Sequence, residues 1–329
     1  MVALGYVGSR TGGLTYGTGT VNVNQLPSQY LSLGATLLQS VSNPFYGIGG
    51  SGVVAAQTIT RSQLLRPFAA FGAVNDTLVP GNHAKYDSMV ARAQKRFSAG
   101  LTFLGSLTYS KNMDGSFAST SYYTSSSTVP QNSFDLGAEY GLAIVNTPLG
   151  AKGAVSYELP FGKGKHWLSA SKWMDYTVGG WQANVVMLFQ SGFPLAVTQG
   201  TNFNSVIGTS VQRPNATGVS PDTSGRTENR LTSYINPAAF SSAPQFTFGN
   251  VSRTIGFSGP GTRNFDISIM KTFTVMERFK GQFRAEALNA FNHPLFNGPA
   301  SAFGNANFGN ITQQGNFPRY IQLGLRFMF

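Results

Sequence analysis

Tyr320-Ile321-Gln322-Leu323-Gly324-Leu325-Arg326-Phe327-Met328-Phe329 is the stretch that decides the fold. Ile321, Leu323, Leu325, Phe327 and Phe329 fall on one face; Tyr320, Gln322, Gly324, Arg326 and Met328 fall on the other. Period two over this length predicts a strand with one apolar face. It is also the length at which a tilted strand crosses a bilayer. Chain ends in soluble domains usually fray, so an apolar strand running to an aromatic last residue favours a membrane setting.

The alternation recurs upstream. Leu101, Phe103, Leu107 and Tyr109 alternate with Thr102, Ser106 and Thr108. Trp181, Ala183, Val185, Met187 and Phe189 alternate with Gln182, Asn184 and Gln190. Phe265, Ile267, Ile269 and Phe273 alternate with Asn264, Asp266 and Ser268; Phe279, Phe283, Ala285 and Ala287 alternate with Gln282, Arg284 and Glu286. Weaker runs follow Met89, Ala91, Ala93 and Phe97, and Val155, Tyr157 and Leu159.

Composition narrows the class. Of 329 residues only 11% are charged, under half the roughly 25% of soluble domains. Gly contributes 39 residues, with 26 Phe and 13 Tyr. There is no Cys, which excludes disulfides, thiolate metal sites and Cys nucleophiles. The net charge of +11 comes from only 12 acids against 23 scattered bases. Arg92-Lys95-Arg96 and Lys163-Lys165 are the densest basic groups, too sparse for a nucleic-acid surface. No run of apolar residues is long enough for a transmembrane helix.

Connections differ by side. Phe97-Ser98-Ala99-Gly100 and Val275-Met276-Glu277-Arg278 read as tight turns, and Pro160 to Gly179 as a modest basic one. Lys111 to Gly150, Gly200 to Thr262 and Asn292 to Pro318 are long and polar. Short turns on one side and long loops on the other are the mark of an outer-membrane barrel. The direction of 11–82 is open; Arg61 to Val74 is a possible strand within it. The expectation is all-β: an antiparallel transmembrane β-barrel of about ten strands, with long extracellular loops and short periplasmic turns.

Several stretches resemble the C-terminal barrel of TonB-dependent outer-membrane receptors of the Oar-like type, whose chains begin with a carboxypeptidase-regulatory-like domain. They include Ala3-Leu4-Gly5-Tyr6-Val7-Gly8, Asn43-Pro44-Phe45-Tyr46-Gly47 and Leu64-Leu65-Arg66-Pro67-Phe68. Further along come Tyr157-Glu158-Leu159-Pro160-Phe161-Gly162-Lys163-Gly164-Lys165, Phe189-Gln190-Ser191-Gly192-Phe193-Pro194-Leu195 and Tyr234-Ile235-Asn236-Pro237-Ala238-Ala239-Phe240. Glu286-Ala287-Leu288-Asn289-Ala290-Phe291-Asn292-His293-Pro294 completes the set. The resemblance covers nearly the whole chain. It implies a parent barrel of about 22 strands that takes up an unidentified extracellular ligand. On this reading 1–329 is the C-terminal part of the receptor barrel, with plug, signal peptide and first strands absent. The start, Met1 to Gly8, has the pattern of a strand interior and no signal-peptide layout. The implied partners are outer-membrane lipid, the barrel-assembly machinery, and a plug domain and TonB reached through the N-terminal part.

Candidate residues divide by face. Ile321, Leu323, Leu325, Phe327 and Phe329 are expected to face lipid and to form the assembly signal. Tyr109, Tyr157, Trp181, Phe273, Phe279 and Phe291 are expected in aromatic girdles. Arg284, Glu286, Asp266, Gln322 and Arg326 are expected to face the lumen. No catalytic, cofactor or metal residue is assigned. Gly47-Ile48-Gly49-Gly50-Ser51-Gly52 has dinucleotide spacing but no βαβ context, and Phe161 to Lys165 reads as a turn. His83 with Asp87 lacks further metal ligands. His293 with Ser301 is a weak Ser–His pair, because Pro294 reads as a strand exit. Two other functions stay open: a soluble or surface all-β adhesin that binds carbohydrate, and an outer-membrane hydrolase.

Overall fold

A computed structural model describes residues 1–16, 20–116, 129–162, 165–167, 176–276 and 279–328. Eight long strands follow one another as an antiparallel meander. They are β1 (Val2–Thr15), β2 (Pro80–Ser98), β3 (Leu101–Asp114), β4 (Leu149–Glu158), β5 (Trp181–Gln190), β6 (Thr262–Met276), β7 (Phe279–Leu288) and β8 (Tyr320–Met328). A two-residue strand, Gly141–Leu142, adds to the end of β3, so the sheet has nine strands against about ten expected. Among the described residues no ladder joins β1 to β8.

Register carries the face pattern from β4 to β8. Val185 pairs with Val155 and Ile267; Ile267 pairs with Ala287, and Ala287 with Ile321. Next to this apolar row runs a polar one: Asn184 pairs with Ser156 and Ser268, Ser268 with Glu286, and Glu286 with Gln322. A one-residue slip between any two strands would scramble both faces, so the alternation in the sequence is what holds the register.

The turns match their chemistry. Ser98 pairs with Leu101 around Ala99 (φ 52) and Gly100 (φ 79), the two positive-φ residues of a type I′ hairpin. Met276 pairs with Phe279 around the second tight turn.

All four long connections leave the opposite end. They span 16–79, 115–148, 191–261 and 289–319. The segment whose direction the sequence left open is therefore a fourth long loop on that same end. Arg61 to Val74 is not a strand. Arg61–Leu64 is a helical turn in which the Thr60 hydroxyl accepts from the Gln63 amide; Thr60 and Gln63 have the spacing of a capping box.

The hydrophobic core lies in these loops. None of the 18 buried apolar side chains among the described residues belongs to the eight strands. One cluster joins Leu195, Val197, Tyr234, Ile235, Phe240, Val251 and Ile311; a second joins Leu26, Leu37 and Ile207. A single-layer sheet has no second layer to bury its apolar face, so that face stays bare: Leu323 is 67% exposed.

Candidate functional site: a capped vestibule

Polar contacts bind the four loops into one cap. The first loop meets the third where Leu26 N donates to Ile207 O at 2.8 Å and Asn22 Nδ2 to Gly208 O at 2.8 Å. It meets the second where Gln25 accepts from Ser133 N at 2.8 Å. The third and fourth share a short parallel ladder, Thr198 with Ala302 and Gln199 with Phe303. The Ile311 amide also donates to Leu231 O at 2.7 Å.

The strongest tie joins the second loop to the third. Arg253 is 2% exposed. Its guanidinium donates to Glu139 O at 2.8 Å, to Asp114 O at 2.6 Å and Oδ1 at 2.7 Å, to Leu142 O at 3.2 Å, and to Ser116 O. Beside it the buried Glu139 carboxylate pairs with the buried Arg213. Two cations and two acids thus neutralise one another in the cap, as buried charge requires.

Asn and Gln do most of the remaining work. Asn24 donates to the carbonyls of Phe68, Phe71 and Gly72. Gln212 accepts from Phe203 N and donates to the carbonyls of Pro244 and Thr247. Buried loop backbone needs such partners because it has no ladder.

A cavity of about 810 Å³ lies between the cap and the polar face of β5 to β8. From the sheet come Leu188, Gln190, Asn264, Asp266, Leu288 and Tyr320; from the cap come Phe193, Leu195, Leu295, Phe296 and Phe317. Asp266 Oδ1 accepts from Asn264 Nδ2 at 3.1 Å and Asn289 N at 2.8 Å. Asn289 takes φ 49, a left-handed conformation that Asn tolerates. Its amide donates to His293 O at 3.0 Å and Phe317 O at 3.2 Å. Asn316 also reaches His293 O, at 3.0 Å. These staples hold Phe317, 88% exposed, at the cavity.

In the cap core, burial pushes the Tyr234 hydroxyl up to about 12; it donates to Ser258 O at 3.0 Å. Arg230 stacks over the Tyr234 ring at 4.2 Å and pairs with Asp222. Asp222 is held below its ordinary value, first by the Ser224 amide and then by Arg230.

The face residues fall as follows. Ile321, Leu323, Leu325 and Phe327 share the apolar face with Ala287, Ala285, Phe283 and Gly281; Phe329 lies outside the described residues. Tyr157, Trp181, Phe273 and Phe279 stand near the tight-turn end, and Phe279 stacks on Phe327 at 5.5 Å. Tyr109 stands near the cap end of β3, and Phe291 just past β7. Arg284, Glu286, Asp266, Gln322 and Arg326 share the polar face by register. Arg284 pairs with Glu286 at 3.4 Å, whereas Asp266 is held by the amide donors already described.

The weaker constellations have other local partners. His83 stacks on Tyr140 at 4.2 Å, while Asp87 is engaged by Tyr6, Arg10 and Lys85. No group of three or more metal-ligating side chains occurs among the described residues. The His293 amide is tied to Asn289 and the Ser301 carbonyl to Thr198. The Gly47 to Gly52 segment is a turn, with φ positive at Gly47, Gly49, Gly50 and Gly52. Lys163 and Gly164 lie outside the described residues.

A family model described as "Outer membrane beta barrel domain" matches residues 1–322. The chain belongs to that family. Its place is therefore the outer membrane, with the short turns towards the periplasm and the loop cap outside. Nothing matches among curated proteins or among solved structures. The soluble all-β reading gives way, because the family is one of outer-membrane barrels.

Proposed function

We propose that this barrel belongs to a TonB-dependent receptor, of the Oar-like type that its motifs resemble, and that it admits an extracellular ligand through the capped vestibule. The carrying observation is the cap itself. Four long loops fold into one cored body over a polar wall and leave a cavity of about 810 Å³ between them. A general pore gains nothing from such a body, whereas capture of a scarce solute requires shaped walls. Aromatic and aliphatic lining with Asp266, Gln190 and Asn264 suits a ligand with an apolar body and a few hydrogen-bonding groups.

On this reading Ile321, Leu323, Leu325 and Phe327 contact lipid. Tyr157, Trp181, Phe273 and Phe279 form the periplasmic girdle, and Tyr109 and Phe291 the outer one. Trp181 suits that post: Lys271 Nζ lies 5.1 Å from its ring and donates to Thr177 O and Gly179 O at the turn. Arg284, Glu286, Asp266, Gln322 and Arg326 face the lumen, where plug and ligand pass. The C-terminal strand, Phe329 included, is the segment the assembly machinery would read by strand addition. Catalysis and a cofactor form no part of this function.

Uptake by comparative depletion tests the proposal. Medium solutes are followed in wild-type cells, in cells lacking this gene and in cells lacking TonB. A solute whose depletion needs both genes supports the reading. A set of solutes that needs this gene but not TonB contradicts it.

A further inference from the structure

A second cavity, of about 850 Å³, opens on the other side of the same strand ends. The wall between the two is thin. Gly192 and Gly261 lie in it, a Cβ on Gly192 would run into the Gly259 carbonyl, and one on Gly261 would come 2.6 Å from Gln190 O. Leu149, Phe189 and Arg263 line this second cavity. All three belong to the apolar face by register: Phe189 pairs with Ala151 and Arg263, and Leu149 with Tyr109. Gln190, Thr262 and Arg263, at the strand ends, line both cavities, whereas Leu149 and Phe189 line this one and not the vestibule, so its outer side lies at the cap end of the apolar face.

Two features adjoin there, and Phe189 is the ring of the first that reaches the cavity itself. Phe189, Phe265 and Phe291 form a chain of edge-to-face rings, with centroids 5.2 Å and 5.0 Å apart. Beside these rings the surface turns cationic, since Arg226, Arg230 and Arg263 all line the cavity. Arg230 is held in place by Asp222 and the Tyr234 ring. Arg226 and Arg263 are exposed, and neither is in an ion pair among the described residues. Glu228 is the one acid among the lining residues.

We infer that this outward cavity binds an outer-leaflet lipid with a phosphorylated headgroup, its acyl chains along the Phe189–Phe265–Phe291 rings and its phosphate between Arg226 and Arg263. Guanidinium forks match phosphate oxygens in geometry as well as charge. The aromatic rings continue the surface that acyl chains already cover, so the site selects a lipid over a soluble anion. The inference rests on the orientation of the barrel and is independent of TonB-driven uptake.

The test uses the full-length protein purified from outer membranes. Native mass spectrometry follows binding of bisphosphorylated lipid A, its dephosphorylated form and inorganic phosphate. The bisphosphorylated lipid should bind at least about tenfold more tightly than the dephosphorylated form, the scale of one charge-assisted contact. The double variant Arg226→Ala/Arg263→Ala should lose that preference while keeping its heat-modifiable gel shift. Arg226→Gln, on an exposed loop, should weaken binding severalfold on its own if the double variant fails to fold. Equal binding of the two lipids, or full retention by the variants, would overturn the inference. So would displacement of the lipid by inorganic phosphate at comparable concentration, which would make this a free-anion site.

Discussion

Arg253→Met removes the link that ties the third loop to the second loop and to the cap end of β3, and leaves the strand ladders in place. The side chain is buried, and its donors serve the carbonyls of Asp114, Ser116, Glu139 and Leu142 together with the Asp114 carboxylate. Met fills much of the same space but satisfies none of these acceptors. Each buried acceptor left bare costs about 1–3 kcal/mol. Water entering at the half-buried Asp114 lowers the total, so the loss from a broken buried pair, about 3–5 kcal/mol, is the better figure. Glu139 keeps Arg213 as partner, which confines the damage to this joint. At about 1.4 kcal/mol per decade, the open cap should become more populated by roughly two to four decades. Limited proteolysis of intact cells reads this as faster cleavage within 129–148 and 249–258, while the gel shift of the barrel is retained. Unchanged cleavage would refute the assigned role of Arg253. Loss of barrel and cap together would refute the separation of the cap core from the sheet.

Leu323→Arg places a charge on the apolar face and should cost about 2–4 kcal/mol near the midplane, whereas Gln322→Arg on the polar face should be tolerated; denaturant titration of the barrel in detergent or vesicles distinguishes them, and equal losses would count against the faces. Tyr234 supplies an alkaline limit for the cap. Its folded pKa is raised to about 12, above the unfolded value of about 10, so its contribution is complete below about pH 10 and is lost as pH rises towards 12. Tyrosinate absorbance should show a late-titrating component near pH 12 that Tyr234→Phe removes. That variant also loses the bond to Ser258, worth about 0.5–1.5 kcal/mol.

The strands were legible because period two needs only local sequence: Tyr320 to Phe329 and Trp181 to Gln190 display both faces outright. The hairpin at Ala99-Gly100 was legible as a tight turn. The cap was hidden from such a reading. Its Asn and Ser richness suggests solvated, ligand-facing loops, yet Asn24, Asn204 and Gln212 are buried and spend their amides on loop backbone. Such pairing joins residues far apart in sequence, as Arg253 joins Asp114, and no periodicity announces it. The helical turn at Arg61 did leave a signal, the Thr60 to Gln63 spacing, which the apolar run Leu64-Leu65 obscures. The vestibule was invisible because it is made where β5 to β8 meet two different loops. Glu286 and Arg284 were read together as lumen residues and are paired; Asp266, grouped with them, instead anchors the fourth loop through Asn289.

One face of this sheet is expected to meet lipid and the other a lumen. The chain has no Cys, so single cysteines placed in turn from 320 to 328 and labelled with a fluorophore report one position each. In native outer membranes, a quencher carried on lipid chains should act strongly at Ile321, Leu323, Leu325 and Phe327 and weakly at Gln322, Gly324 and Arg326. Uniform quenching along the strand, or strong quenching at the second set, would contradict the account.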